Sequence, residues 1–496
     1  MKFLRILFKV SLGLILALVV IVGGLLLFMP GIHISSIKMV LNVMTGAGAD
    51  TPEEELLGRL RAADDYRISV FARGIANPRM LHLTRTGRLL VSSPRSGEVL
   101  QLTDTNGDGA ADLTEVLMSG LRRPHGLEIY EGQLYIAESN QVGRIDYDTD
   151  KGTVDGDYTL VVENLTDQGN HWSKTIRFDD EGRLYVAMGS TCNVCEEEDP
   201  RRATIMRYQT AGGDGQVFAS GLRNSVGIAF APWDGTLYAT DNGRDMLGDD
   251  YPPCELNRIQ EGAFYGWPYL NGNNDLDPDL GEGKEALQAT ALPPAYGFRA
   301  HNAPLGMYFP DRGEKAALVA LHGSWNRSTP DGYKVVKLLW QADGSIAASD
   351  FMWGFEQDGD IVGRPVDISS DGNGGYFVSD DYARVIYRLS RDTGLHSAAV
   401  GNVELNPPAA TPQTLDAGMA AAGAELYLSL SCTECHAPTA LTPVLLSKLG
   451  DRYSLLELTD YFLTPTPPMP LFELDLQQRQ QLAHYLLNEE QAATEK

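Results

Sequence analysis

Positive charge is scarce in this chain: 496 residues carry 40 Lys and Arg against 66 Asp and Glu, a formal net charge of -26. A phosphate-binding surface needs clustered cations, so nucleic acid is excluded as a partner class. Cysteine is scarce as well, at five residues. Cys192 and Cys195 in "GSTCNVCEEEDPRR" have C-x-x-C spacing with neither a following histidine nor a partner pair. In an oxidising compartment they are expected to close a local loop disulfide. Cys254 is left over and is expected to be a buried thiol. Helical periodicity is nearly absent between residues 65 and 395, which excludes a Rossmann or barrel enzyme as the main body.

What fills that stretch is a repeat. "NPRMLHLTRTGRLLVSSPRSGEVLQL", "RPHGLEIYEGQLYIAESNQVGRIDY", "WSKTIRFDDEGRLYVAMGS", "NSVGIAFAPWDGTLYATDNG", "APLGMYFPDRGEKAALVALHGSW" and "RPVDISSDGNGGYFVSDDYARVIYRL" each join short apolar runs through a Gly- and Asp-rich turn. A period of about 45 residues is that of propeller blades, and six repeats predict an all-β six-bladed β-propeller, here over residues 64–395. In the first repeat, "DTNGDGAADLTE" has the ligand spacing of a twelve-residue calcium loop, with Asp104, Asn106, Asp108, the Ala110 carbonyl, Asp112 and Glu115 around Gly109. It follows a strand, so no EF-hand pair is implied, and an acidic turn capped by glycines is the alternative.

The N-terminus reads as an anchor. Lys2, Arg5 and Lys9 precede "VSLGLILALVVIVGGLLLFM", an uncharged apolar run of the length that spans a bilayer as a helix. The basic end belongs in the cytoplasm, with everything after Pro30 on the far side. "FMPGIHISS" offers no good cleavage site, so residues 1–30 are expected to stay as an inner-membrane anchor with the protein facing the periplasm; a cleaved signal is the alternative. Residues 31–63 read as a linker.

After a proline-containing spacer at 396–412, residues 413–496 carry "LYLSLSCTECHAPTALTP". C-x-x-C-H is a specific haem attachment signal: Cys432 and Cys435 lie on one helical face to take the porphyrin vinyl groups, and His436 ligates the iron. Met469, between Pro468 and Pro470, is the expected second axial ligand. His484 is a rival, read as a solvent-facing residue on a terminal helix whose Leu482, Tyr485 and Leu486 share one face. A small all-α cytochrome c domain with covalent haem c is expected.

The propeller stretches "GNHWSKTIRFDDEGRLYVAMGS", "ASGLRNSVGIAFAP", "TDNGRDMLGDDYPPCELNRI", "FYGWPY", "HNAPLGMYF", "HGSWNRS" and "GRPVDI" occur in an order that resembles the pyrroloquinoline-quinone (PQQ) sugar dehydrogenases of the glucose and sorbosone type. The resemblance covers nearly the whole propeller. It implies that His171 is the base that takes a hydroxyl proton while hydride leaves carbon for the quinone. Arg223 and Asn224 are implied beside the reacting carbonyl, and Asn326, Arg327 and Arg364 as cofactor contacts. Backbone oxygens near Gly248 and Asp249 are implied as ligands of a calcium ion that polarises the quinone as a Lewis acid. His301 ranks below His171, as a substrate contact or alternative base. Cys254, Asn326 and Val362 stand where the soluble glucose enzymes carry an acidic residue, a lysine and a second arginine, so the sorbosone-type branch is the closer fit.

These readings imply a membrane-anchored periplasmic quinohaemoprotein that oxidises a sugar or sugar-like alcohol or aldehyde. Its partners would be a small sugar and a respiratory electron acceptor. Two other classes use the same fold: a cofactor-free propeller acting as a binding scaffold for a cytochrome, and a calcium-dependent lactonase.

Overall fold

The computed structural model describes residues 34–310, 313–391, 416–430, 455–462 and 474–494, with Cys432, His436, Leu446, Leu449 and Phe472. The expected anchor at 1–30, the spacer at 396–412, Cys435 and Met469 lie outside the described residues. Among the described residues no helix is long and apolar enough to cross a membrane. The chain divides into two units, before and after residue 403.

In the first unit, six antiparallel sheets follow one another along the chain, at 81–118, 127–162, 174–220, 225–298, 304–353 and 365–391. Each is one blade. Their first strands, Leu81–Leu83, Leu127–Tyr130, Lys174–Phe178, Ser225–Phe230, Pro304–Tyr308 and Pro365–Ser370, fall inside the six repeats of the sequence. The ring closes through a strand the repeat did not announce: Tyr66–Arg73 pairs with Val385–Arg391 and becomes the outer strand of the sixth blade. This closure leaves no unpaired ring seam, which is how a propeller manages its edges.

The first strands of blades four, five and six are bulged at equivalent places, after Ser225, Pro304 and Pro365. An extra residue there turns a side chain out of the alternating pattern, and Val226, Leu305 and Val366 meet as one buried apolar cluster. Glycine makes the approach feasible. A Cβ on Gly227 would lie 2.2 Å from Leu305 O, and one on Gly306 would lie 2.0 Å from Asp367 Oδ1.

The segment read as a linker is folded over most of its length. Helix α1 (Ile37–Thr45) starts at Ser36, whose hydroxyl accepts from Met39 N, and stops at Gly46 in the left-handed conformation at φ 78°. Helix α2 (Glu53–Arg59) follows, and Arg61–Ala62 adds a fifth strand to blade five. Met39, Leu56 and Leu60 are buried against Phe355, Val362 and Tyr382 of the propeller. Periodicity hid this, because nine apolar-rich residues are too few to separate a docked helix from the end of an anchor.

The second unit is helical: α3 (Ala417–Ser429), α4 (Leu455–Tyr461) and α5 (Leu476–Thr494). Helices α3 and α5 cross at Gly423, where a Cβ would lie 1.9 Å from Gln481 O. Tyr427, Leu458, Phe462, Leu482 and Leu487 form the core. The reading of His484 as solvent-facing is corrected: it is buried, and its Nδ1 accepts from Asp416 N at 3.2 Å.

Candidate active site

First strands start, and second strands end, at the same mouth of the ring. Three blades use one device there: a carboxylate at the end of the second strand, or one residue past it, accepts the backbone N–H of an arginine in the loop before the first. Glu138 holds Arg122, Asp241 holds Arg223 at 2.9 Å, and Asp380 holds Arg364 at 2.9 Å. Asp241 also accepts from Asn224 N at 2.6 Å. Buried backbone donors need partners, and these partners fix loops that carry cations to the mouth.

His171 precedes the first strand of blade three. Its Nδ1 lies 2.9 Å from Ser190 Oγ, and that hydroxyl donates to Cys192 O at 2.7 Å. The Ser190 proton is thereby committed, so Nδ1 must donate and Nε2 keeps its lone pair. Burial, followed by the neighbouring Arg223 cation, depresses the imidazole pKa to about 3. A neutral ring with an open nitrogen is the form a general base requires.

Arg223 is held on every side. Nε and Nη2 donate to the backbone and side-chain oxygens of Asn193, each at 2.9 Å, while Nη1 reaches Asn242 O at 3.1 Å and Gly243 O at 3.0 Å. Asp245 lies 3.6 Å away. Arg364 donates to His322 O and Gly323 O, both at 3.0 Å. The His322 ring meets Asp381 at 2.9 Å, and Arg79 meets the same carboxylate at 2.8 Å. Burial and Arg364 push the His322 pKa down to about 4.

Beneath His171, Gly189 has no room for a side chain: a Cβ would stand 2.6 Å from both Asn224 Oδ1 and His171 Cβ. The Asn224 amide therefore lies beside the imidazole. His171 supplies an acceptor and Asn224 an amide beside Gly189, and the Arg223 and Arg364 loops bring positive charge to the same mouth, surroundings whose charge fits an anionic quinone. Asn326 and Val362 are both buried, and Val362 packs in the core.

The residues implied for calcium are placed differently. Gly248 O accepts from His301 Nε2 at 2.9 Å, and Asp249 O accepts from Arg327 Nη1. His301 Nδ1 also meets Asp245 Oδ1 at 3.2 Å. A divalent cation at these carbonyls would sit against the Arg327 guanidinium, a like charge, so this arrangement does not fit calcium. His301 and Arg327 act here as ties between mouth loops.

The loop at 104–115 turns its acceptors onto its own backbone. Asp104 takes Gly107 N and Gly109 N, Asn106 takes Asp108 N, Asp108 takes Ala110 N, and Asp112 takes Thr105 N. Glu115 lies on a strand and accepts from Gln101. Among the described residues the one close cluster of metal-ligating type is Cys192, Cys195 and Glu197, and its cysteines are joined in the expected disulfide. Cys254 is buried, and burial pushes its thiol up to about 11.

In the second unit, His436 N donates to Cys432 O at 3.0 Å, which places the two residues one helical turn apart. Cys432 packs against the apolar core of that unit.

Sequence reasoning missed Ser190, Asn193, Asp245 and Asp381. Asn193 lies inside the C-x-x-C, a spacing that marks its cysteines and not the residues between them. Nothing in one sequence marks Asp245 or Asp381 as partners of residues 22 and 59 positions away.

The chain matches the TrAA12-like family over residues 60–261 and 282–392. An uncharacterized protein of Borreliella burgdorferi is 28% identical over 376 residues, covering 72% of this chain and 97% of that protein. The pyrroloquinoline quinone-dependent pyranose dehydrogenase of Coprinopsis cinerea is 26% identical over 409 residues, covering 68% of this chain; the match spans 55% of that relative's length. The calcium structure of a Trichoderma reesei carbohydrate-active enzyme of family AA12 superposes with a TM-score of 0.61 at 25% identity, over 67% of this chain and 97% of that one. On its propeller, the chain belongs to the TrAA12-like family.

Proposed function

We propose that this chain oxidises a sugar or sugar-like alcohol or aldehyde at the propeller mouth and passes the electrons to a haem c in its own second unit, from a membrane anchor facing the periplasm. One observation carries the oxidation: the committed Ser190 hydroxyl, which leaves His171 Nε2 as an open acceptor beside Asn224 and Arg223. When bound, PQQ supplies an electrophilic carbonyl carbon able to accept hydride. His171 Nε2 takes the substrate hydroxyl proton, and its depressed pKa keeps it neutral and ready through the physiological range. The Asn224 amide stands where it can donate to an oxygen gaining charge. Arg223 and Arg364 set a positive field at the mouth that favours an anionic cofactor.

The pyranose dehydrogenase of Coprinopsis cinerea supports a sugar as substrate. The motif at Cys432, Cys435 and His436 supports the haem, together with the helical turn between Cys432 and His436. Two electrons leave the substrate as one hydride while a haem accepts them singly, so a tethered cytochrome provides the reoxidant at high local concentration.

Purified chain loaded with PQQ, with and without calcium, is offered a panel of sugars while the reduced-haem absorbance is followed. Haem reduction by a sugar supports the reading. Absence of reduction by every sugar, with PQQ shown not to bind, favours a scaffold instead.

A further inference from the structure

Helix α1 is apolar on two opposite sides. Met39 faces the propeller and is buried, Asn42 Nδ2 donates to Tyr382 OH at 2.7 Å, and Lys38 meets Asp360 at 2.6 Å. On the other side Ile37, Leu41 and Met44, spaced i, i+4 and i+7, are 69%, 54% and 69% exposed, and Ile34 is 46% exposed. A second apolar face on a helix whose first face is already packed is left without a partner by the propeller. The position of this one is the mouth rim: Ser35 N donates to Trp325 O at 3.0 Å, and Gly46 and Gly48 abut Arg384 and Tyr382. Trp325 and Met246, on mouth loops tied together through Ser328 N and Asp249 Oδ1, are each 41% exposed.

Chain continuity says what covers this stripe. The uncharged apolar run at 10–29 ends five positions before Ile34, and five extended residues reach at most about 18 Å. A stripe starting that close to a bilayer-spanning segment cannot leave the vicinity of the headgroups. Trp at the same rim matches the side chain that prefers a membrane interface. We propose that α1 lies in the membrane interface with Ile37, Leu41 and Met44 in the headgroup and acyl boundary, so that the propeller mouth is held at the bilayer surface. The inference rests on the anchor reading of residues 1–30. Substrate entry would then occur at the membrane surface.

The test uses the full chain in nanodiscs of phosphatidylethanolamine and phosphatidylglycerol, with single nitroxide labels at Ile37→Cys, Leu41→Cys and Met44→Cys. Controls are Ala342→Cys, in an exposed turn at the far end of blade five, and Ala17→Cys, within the apolar run. Unsubstituted chain gives the background. The expected result is that the α1 labels are relaxed by oxygen and shielded from a water-soluble nickel chelate, the reverse of the label at 342. If the label at 17 reads bilayer while the α1 labels are open to the chelate, the stripe faces water and the inference is overturned. If they are shielded from both relaxants, protein covers the stripe, from the second unit or another copy, and the inference is again overturned. If the label at 17 itself reads water, or the mass shows residues 1–30 removed, the anchor reading has failed and takes this inference with it.

Discussion

Asn193 carries the Arg223 guanidinium: its main-chain and side-chain oxygens accept from Nε and Nη2, each at 2.9 Å. Asn193 is also enclosed by the Cys192–Cys195 disulfide. Cys192 O, in the same ring, fixes the Ser190 hydroxyl that orients His171. One small covalent loop thus sets both the proposed base and its neighbouring cation.

Asn193→Ala should therefore slow sugar oxidation without unfolding the propeller. Hydrogen bonds to a charged group contribute about 1.5–3 kcal/mol each, so losing the side-chain bond alone predicts a fall of at least about tenfold. Cys192→Ser with Cys195→Ser should act in the same direction by loosening the loop. The check is steady-state turnover at saturating PQQ, with thermal unfolding measured alongside; unchanged turnover would remove the loop from the mechanism.

His171→Ala should lower turnover by about 100- to 10,000-fold, the range for loss of a positioned general base. Reduction of the haem by dithionite should be unaffected. Ser190→Ala should cost less, because the imidazole remains but its tautomer is no longer imposed. Comparing kcat across pH separates the two, since only the serine variant retains a titrating base.

Much of the architecture was legible because each blade repeats one pattern of alternating runs and Gly-rich turns, and local repetition survives in a single sequence. The first strands, which begin at Leu81, Leu127, Lys174, Ser225, Pro304 and Pro365, all fall inside the six repeats. Closure through Tyr66–Arg73 was not legible, since pairing with Val385–Arg391 is a long-range event with no local mark. His171 and Arg223 were reached through a family pattern, whereas their partners Ser190 and Asn193 are defined only by tertiary hydrogen bonds. The contacts of the residues read for calcium were likewise not legible: backbone amides donate to the carboxylates of the 104–115 loop, and side-chain donors reach Gly248 O and Asp249 O.

The depressed pKa of His171 has a sign that can be measured. Below about 6.5 the unfolded chain binds a proton at this ring, which the folded chain refuses until about 3. Stability from this site is thus complete above the unfolded value and is lost as pH falls, by up to about 1.4 kcal/mol per unit. Buried carboxyls raised toward neutrality, such as Glu255 at about 8, act in the opposite sense, so the total curve conceals the effect. His171→Gln isolates it. From pH 6.5 to 5 the wild-type chain should lose about 2 kcal/mol relative to this variant, read by urea unfolding.

The mouth segment that holds Arg223 depends on a buried ion pair. Arg244 Nη1 donates to both oxygens of Asp277, at 2.8 and 2.7 Å, with side chains 5% and 0% exposed. Gly243 O before it accepts from Arg223, and Asp245 after it meets His301. Removing one partner of such a pair strands a charge, which costs about 3–5 kcal/mol, whereas neutralising both is close to neutral. Arg244→Met should therefore destabilise the propeller by that amount and weaken turnover, because Asp277 would keep its charge without its cation. Asp277 also accepts from Asn271 Nδ2 and Asp279 N, contacts that an amide oxygen preserves in part. Adding Asp277→Asn to Arg244→Met should then restore most of the lost stability in urea unfolding; if the double variant is no more stable than the single one, the pair is not what holds this segment.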